Sequence, residues 1–150
     1  MIELATADDT REFGRRLAGS LRAGDLIVLG GPLGAGKTTL VQGIGDGLHV
    51  SGRIASPTFV IARVHPGPVP LVHVDAYRLT SLEEVDDLDL DVSADEAVTV
   101  VEWGEGKAEQ LADSYLSITL DRARDSEQRT ATLSAHGGDW ATRLTALATT

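Results

Sequence analysis

At 150 residues the chain is one domain by length, long enough to bury about two-thirds of the surface its unfolded form exposes. Thirteen basic residues against 23 acidic ones give a formal charge of −10, a field that repels nucleic-acid phosphates and offers no counterion-release term for gripping RNA or DNA directly. The absence of cysteine excludes disulfides, thiolate metal sites and a cysteine nucleophile.

No apolar run approaches the roughly twenty residues of a membrane span, and Met1-Ile2-Glu3-Leu4 has neither a basic region nor the apolar core of a signal. A cytoplasmic protein without membrane contact is expected. Ile2 to Leu4 reads as a short strand. A helix then starts at Asp8-Asp9, either of which can cap it, with Phe13, Leu17, Ala18 and Leu21 at helical spacing and Arg11, Arg15, Arg16 and Arg22 on a solvated face. Ala23-Gly24-Asp25 ends that helix and leads into Leu26-Ile27-Val28-Leu29, an apolar strand of the kind buried on both faces in a parallel sheet.

The stretch after that strand is the most informative of the chain. Gly31 to Thr38 fits the phosphate-binding pattern G-x-x-x-x-G-K-[ST], placed between a strand and a helix. A loop that wraps a polyphosphate must turn successive N–H groups inward, and Gly30, Gly31, Gly34 and Gly36 permit the dihedrals this needs. The helix beginning near Lys37 adds its positive end. Lys37 supplies a point charge to the β- and γ-phosphates, and the Thr38 hydroxyl suits a Mg²⁺ that bridges them.

The helix continues from Thr39 to Leu48 with Leu40, Val41, Ile44 and Leu48 on one side. Gly43, Gly45 and Gly47 weaken it and signal close packing against a neighbour. Phe59 to Val64 and Leu71 to Asp75 read as strands joined by the turn His65 to Pro70, an antiparallel pair that makes the sheet mixed. Ser81 with Glu84 forms a capping box at the head of an acidic, amphipathic stretch running to Glu96. Ala97 to Trp103 is a second buried strand, and Gly104 to Ala112 a short helix. Tyr115 to Leu120 and Thr130 to Ser134 alternate as a half-exposed hairpin, and a last helix spans Asp139 to Ala148, capped by Asp139 and packing Trp140, Leu144 and Leu147.

Asp75 and Glu102 each end an apolar strand, at the edge where open α/β sheets bind ligands, and either fits the acid that holds a nucleotide's metal ion. His73 reads as a buried strand histidine in preference to a general base. The expected architecture is α/β, a P-loop NTPase-like three-layer sandwich with a mixed, mainly parallel central sheet and an antiparallel insertion, in one domain over residues 1–150.

Four motifs in order, Leu33-Gly34-Ala35-Gly36-Lys37-Thr38-Thr39, Ser56-Pro57-Thr58-Phe59, His73-Val74-Asp75-Ala76-Tyr77-Arg78 and Glu102-Trp103, give the chain its resemblance to the TsaE (YjeE) ATPases of bacterial tRNA threonylcarbamoyladenosine synthesis. The resemblance implies a Mg²⁺-dependent ATPase, weak alone, that works with the TsaB and TsaD proteins and meets tRNA only through their complex. It does not itself transfer the threonylcarbamoyl group. By position it implies that Gly34, Ala35, Gly36, Lys37, Thr38 and Thr39 bind ATP and that Thr38 and Glu102 hold Mg²⁺. Asp75 lies at the phosphates as a water-orienting or metal-linked acid, Thr58 sits in a switch-like loop, Trp103 lies beside the site, and Arg129, in the hairpin's second strand, approaches the nucleotide. Lys37, Thr58, Asp75 and Glu102 make up the implied catalytic set.

One departure stands out. Where the family is expected to carry Gly-Asp-Leu-Gly-Ala-Gly, this chain has Gly31-Pro32-Leu33-Gly34-Ala35-Gly36, so proline removes a carboxylate and one N–H from the loop. The competing reading is a small P-loop kinase acting on a metabolite hydroxyl, with Arg122, Arg124 and Arg129 as its lid candidates. A third is a nucleotide-dependent binding switch in which hydrolysis serves only release.

Overall fold

The computed structural model describes residues 2–31, 36–50, 62–75, 97–102, 114–122 and 128–148. Along the chain come β1 (Ile2–Leu4), α1 (Ala7–Ala18), β2 (Leu26–Gly30), α2 (Lys37–Leu48), β3 (Ala62–His65), β4 (Leu71–Asp75), β5 (Val98–Glu102), β6 (Tyr115–Arg122), β7 (Arg129–His136) and α3 (Trp140–Ala148). The helices expected at 81 and at 104–112 lie outside the described residues.

The strands form one sheet in the order β1-β7-β6-β2-β5-β4-β3. Its centre is parallel, through the pairings β6–β2, β2–β5 and β5–β4. Its margins are antiparallel, through β1–β7, β7–β6 and β4–β3. This is the mixed α/β sheet of a P-loop NTPase-like fold. All five residues of β2 are buried, which explains why its sequence is apolar throughout instead of alternating.

One side of the sheet packs Ile27, Leu29, Leu71, Val98, Val100, Leu116, Ile118 and Leu120 against Phe13 and Leu17 of α1, Leu40, Val41 and Ile44 of α2, and Trp140 of α3. The other side is equally dry at its centre: Val28, Val72, Val74 and Val101 are each at most 1% exposed. Strands buried on both faces are what a three-layer arrangement requires.

α1 and α2 touch backbone to backbone. A Cβ at Gly43 would stand 2.0 Å from the Arg11 carbonyl oxygen, and one at Gly14 would stand 2.4 Å from that of Leu40. The glycines of α2 therefore trade intrinsic helix stability for a close crossing that fixes the helix carrying Lys37.

Several local expectations are corrected. The N-cap of α1 is Thr6, whose side chain accepts from the Asp9 N–H while Asp9 accepts from Thr6 N in return, so Asp9 is the third-position partner of a capping box and not the cap. That helix stops at Ala18 with Gly19 as C-cap, well before Ala23, and Leu21 reaches the core from outside it. The hairpin strands are longer than the apolar alternation indicated, since Asp121, Arg122, Arg129, Ala135 and His136 continue the ladder by main-chain pairing.

At the start of β2, α3 is fastened by Arg143. Its Nη1 donates to Asp25 at 2.6 Å, its Nε donates to Asp139 at 2.9 Å, and its guanidinium lies 4.2 Å from the centre of the Trp140 ring. Burial works against the Arg143 charge, but the hydrogen bonds and field of Asp25 and Asp139 outweigh it and the net pKa is raised.

Candidate phosphate and metal site

β2 delivers the chain to Gly31 at the carboxyl edge of the parallel strands. Gly31 has φ +131°, and a Cβ there would stand 2.1 Å from the Leu120 carbonyl oxygen of β6. No other residue fits this turn. The loop's far end is Gly36, the N-cap of α2, with φ +100°. Positions 32–35, including Pro32, Gly34 and Ala35, lie outside the described residues.

Lys37 opens α2 and is only 6% exposed. Its Nζ donates to the Gly31 carbonyl at 2.6 Å, so the ammonium spans the base of the loop from one glycine turn to the other. An ammonium is costly to bury without partners; here it stands beside the half-buried first-turn residues Thr38 and Thr39, at a helix start whose N-cap has no side chain to cap it. Helix amides and ammonium converge on one place, an arrangement that suits a polyanion.

Glu102 is the last residue of β5 and lies in register with Leu29 of β2 on one side and Asp75 of β4 on the other. It is 5% exposed. Its Oε2 pairs with Nε2 of His73, which is fully buried, and the other ring nitrogen, Nδ1, has no hydrogen-bond partner among the described residues. Arg129, first residue of β7, brings its Nε to 3.6 Å from where a Cβ on Gly36 would be. The structure thus collects Lys37, Thr38, Thr39, Glu102 and Arg129 at one sheet edge. Asp75 ends the adjacent strand in register with Glu102, though its side chain, together with Thr58 and Trp103, lies outside the described residues.

Among the described residues no three His, Asp or Glu side chains converge as a ready-made metal cage. Mg²⁺ does not need one, because it takes one or two protein oxygens and completes its octahedron with phosphate and water. A threonine hydroxyl and a carboxylate are hard oxygen donors of the right kind, so the residues present fit that ion.

Sequence reasoning missed the His73–Glu102 pair. The available signal was the shared parity of His73 and Asp75 on β4, and it becomes readable only once β4 is known to lie beside β5 with His73 level with Val100.

The model of the family described as threonylcarbamoyl adenosine biosynthesis protein TsaE matches residues 4–131. The chain belongs to the TsaE family. Family relatives include the Streptomyces coelicolor tRNA threonylcarbamoyladenosine biosynthesis protein TsaE, 59% identical over 140 residues that cover 88% of this chain and 94% of the relative. The Bacillus subtilis TsaE is 38% identical over 123 residues, covering 81% and 77%. Among solved structures, the crystal structure of Bacillus subtilis YdiB superposes with TM-score 0.80 at 29% identity, covering 98% of this chain and 92% of that one. That likeness agrees with the nucleotide-binding type of fold, and no described helix is long and apolar enough to cross a membrane.

Proposed function

We propose that this chain is a Mg²⁺-dependent ATPase that serves the threonylcarbamoyl modification of adenosine 37 in tRNAs reading ANN codons, acting in the cytoplasm with the TsaB and TsaD proteins and meeting tRNA only through them. Its membership of the TsaE family supports the pathway. The observation that carries the chemistry is Lys37 folded back to the Gly31 carbonyl between two positive-φ glycines, with Glu102 ending the neighbouring strand.

In this reading the amides of Gly34 to Thr39 hold the phosphates and Lys37 neutralises their charge. Thr38 and Glu102 hold Mg²⁺, which when bound offsets charge on the β- and γ-oxygens. Asp75 orients the attacking water, Thr58 reports the γ-phosphate from its loop, and Arg129 and Trp103 border the nucleotide. Such a site works by positioning and by electrostatics, with little covalent chemistry asked of the protein.

The test is ATP turnover measured with the purified chain alone, with TsaB, TsaD and tRNA added, and with a panel of small hydroxyl compounds. Turnover that rises with the partners and yields no phosphorylated product is expected. A phosphorylated metabolite would replace this reading with that of a kinase.

A further inference from the structure

His73 is fully buried, 0% exposed, in the middle of β4, level with Val100 of β5 on one side and with Arg63 of β3 on the other. Val72 and Val74 beside it in the strand face the opposite side of the sheet. Valine or leucine would fill that position without the penalty of desolvating an imidazole, which amounts to about 1–3 kcal/mol by mutational measures. Among the described residues the interaction that offsets this penalty is Nε2 to Oε2 of Glu102.

The arrangement also fixes the proton. With Nδ1 buried and without a partner among the described residues, a proton there would be an orphaned donor, whereas a bare Nδ1 lone pair costs less. The geometry places the donor on Nε2, whose N–H is donated to the Glu102 carboxylate.

Resting on the nucleotide reading above, we infer that His73 is a positioning residue for the metal-binding carboxylate: its Nε2–H holds one oxygen of Glu102 and leaves the other for the divalent ion. A glutamate side chain has several staggered rotamers, and each alternative one that is populated dilutes the one that binds metal. A buried donor on the adjacent strand removes that freedom before the ion arrives. Hydrogen bonds of this kind to metal ligands commonly change metal affinity by about 10–100-fold.

The test compares wild type with His73→Leu, which keeps apolar volume, and His73→Gln, whose amide can place a donor near the Nε2 position. ADP affinity is measured by calorimetry in EDTA and in excess Mg²⁺, and the ratio of the two dissociation constants reports the metal's contribution. His73→Leu should lose about tenfold of that ratio while its affinity in EDTA stays at the wild-type value, and His73→Gln should recover most of the loss. A Leu variant with the full wild-type ratio overturns the inference and leaves the nucleotide reading standing, whereas a wild type that binds no ADP takes both down. Should both variants fail a thermal-melting check, ¹⁵N resonances of the four histidines in the wild-type protein decide. An Nε2–H on His73 whose resonance shifts when Mg²⁺ joins ADP is expected; an Nε2 without a proton, or no response to the metal, overturns it.

Discussion

At the scale of single residues, the proposed function gives the two acids at the strand ends different roles. Glu102 is buried, tied to His73 and one strand away from Gly30, whereas Asp75 is a further strand out, beyond Glu102. In parallel sheets adjacent strands stand about 4.8 Å apart, so in the proposed site the acid beside β2 would reach an ion on Thr38 with the shorter span. Glu102→Gln should therefore abolish the gain in nucleotide affinity on adding Mg²⁺, while Asp75→Asn should retain that gain and lose turnover. Titration calorimetry on both variants, paired with a phosphate-release assay, separates the roles; the reverse pattern would exchange them. Pro32 offers a second residue-level test, since it stands where the family is expected to carry aspartate and brings neither carboxylate nor N–H. Turnover by the chain alone should rise in Pro32→Asp, and an unchanged rate would separate that position from hydrolysis.

The elements that carry these residues are held by two unlike devices. Between α1 and α2 it is backbone proximity. Gly43→Ala would gain about 1 kcal/mol of helix propensity, but the new methyl would meet the Arg11 main chain, which a side-chain shift cannot relieve. The outcome expected is a net loss of about 2 kcal/mol in urea unfolding, with weaker nucleotide binding because Lys37 rides on the displaced helix. At the other end of β2 the device is electrostatic. Arg143→Leu leaves Asp25, 7% exposed, without its guanidinium and should cost about 3 kcal/mol, the usual penalty for breaking a buried pair by removing one partner.

That second device has a pH signature. Asp139 is held below the ordinary carboxylate range first by its hydrogen bond from Arg22 and also by Arg143. A depressed carboxyl contributes stability that is complete above its unfolded value and is lost as pH falls through the folded one. The anchoring of α3 should therefore be constant at neutral pH and weaken below about pH 4, and in Arg143→Leu that acid-side decline should be shallower when followed by Trp140 fluorescence.

For the molecule as a whole, the features legible in the sequence were local ones. The apolar β2, the β3–β4 turn and the terminal helix are each dictated by neighbouring residues, and the structure places them close to where the pattern predicts, as it does Gly31 and Lys37. The order of strands is different, because β1 joining β7 and β5 lying between β2 and β4 depend on contacts distant in sequence, which hydrophobic period does not encode. The same limit hid the His73–Glu102 pair, which exists only across that unseen neighbour relation. Thr6 was hidden for another reason: two aspartates lay nearby, and both residue types cap helices well, so composition alone did not rank the three residues.

The net charge of −10 acts at the same scale. Averaged over the surface it repels tRNA phosphates, which agrees with the proposal that the chain itself takes a nucleotide and meets tRNA through partners. The most direct measurement is calorimetric titration of ADP and of a non-hydrolysable ATP analogue, with Mg²⁺ present, into the wild-type chain and Lys37→Ala. Saturable heat from the wild type and none from the variant is the result predicted, whereas no heat from the wild type, or equal heat from both, would contradict a nucleotide held by Lys37 at the head of α2.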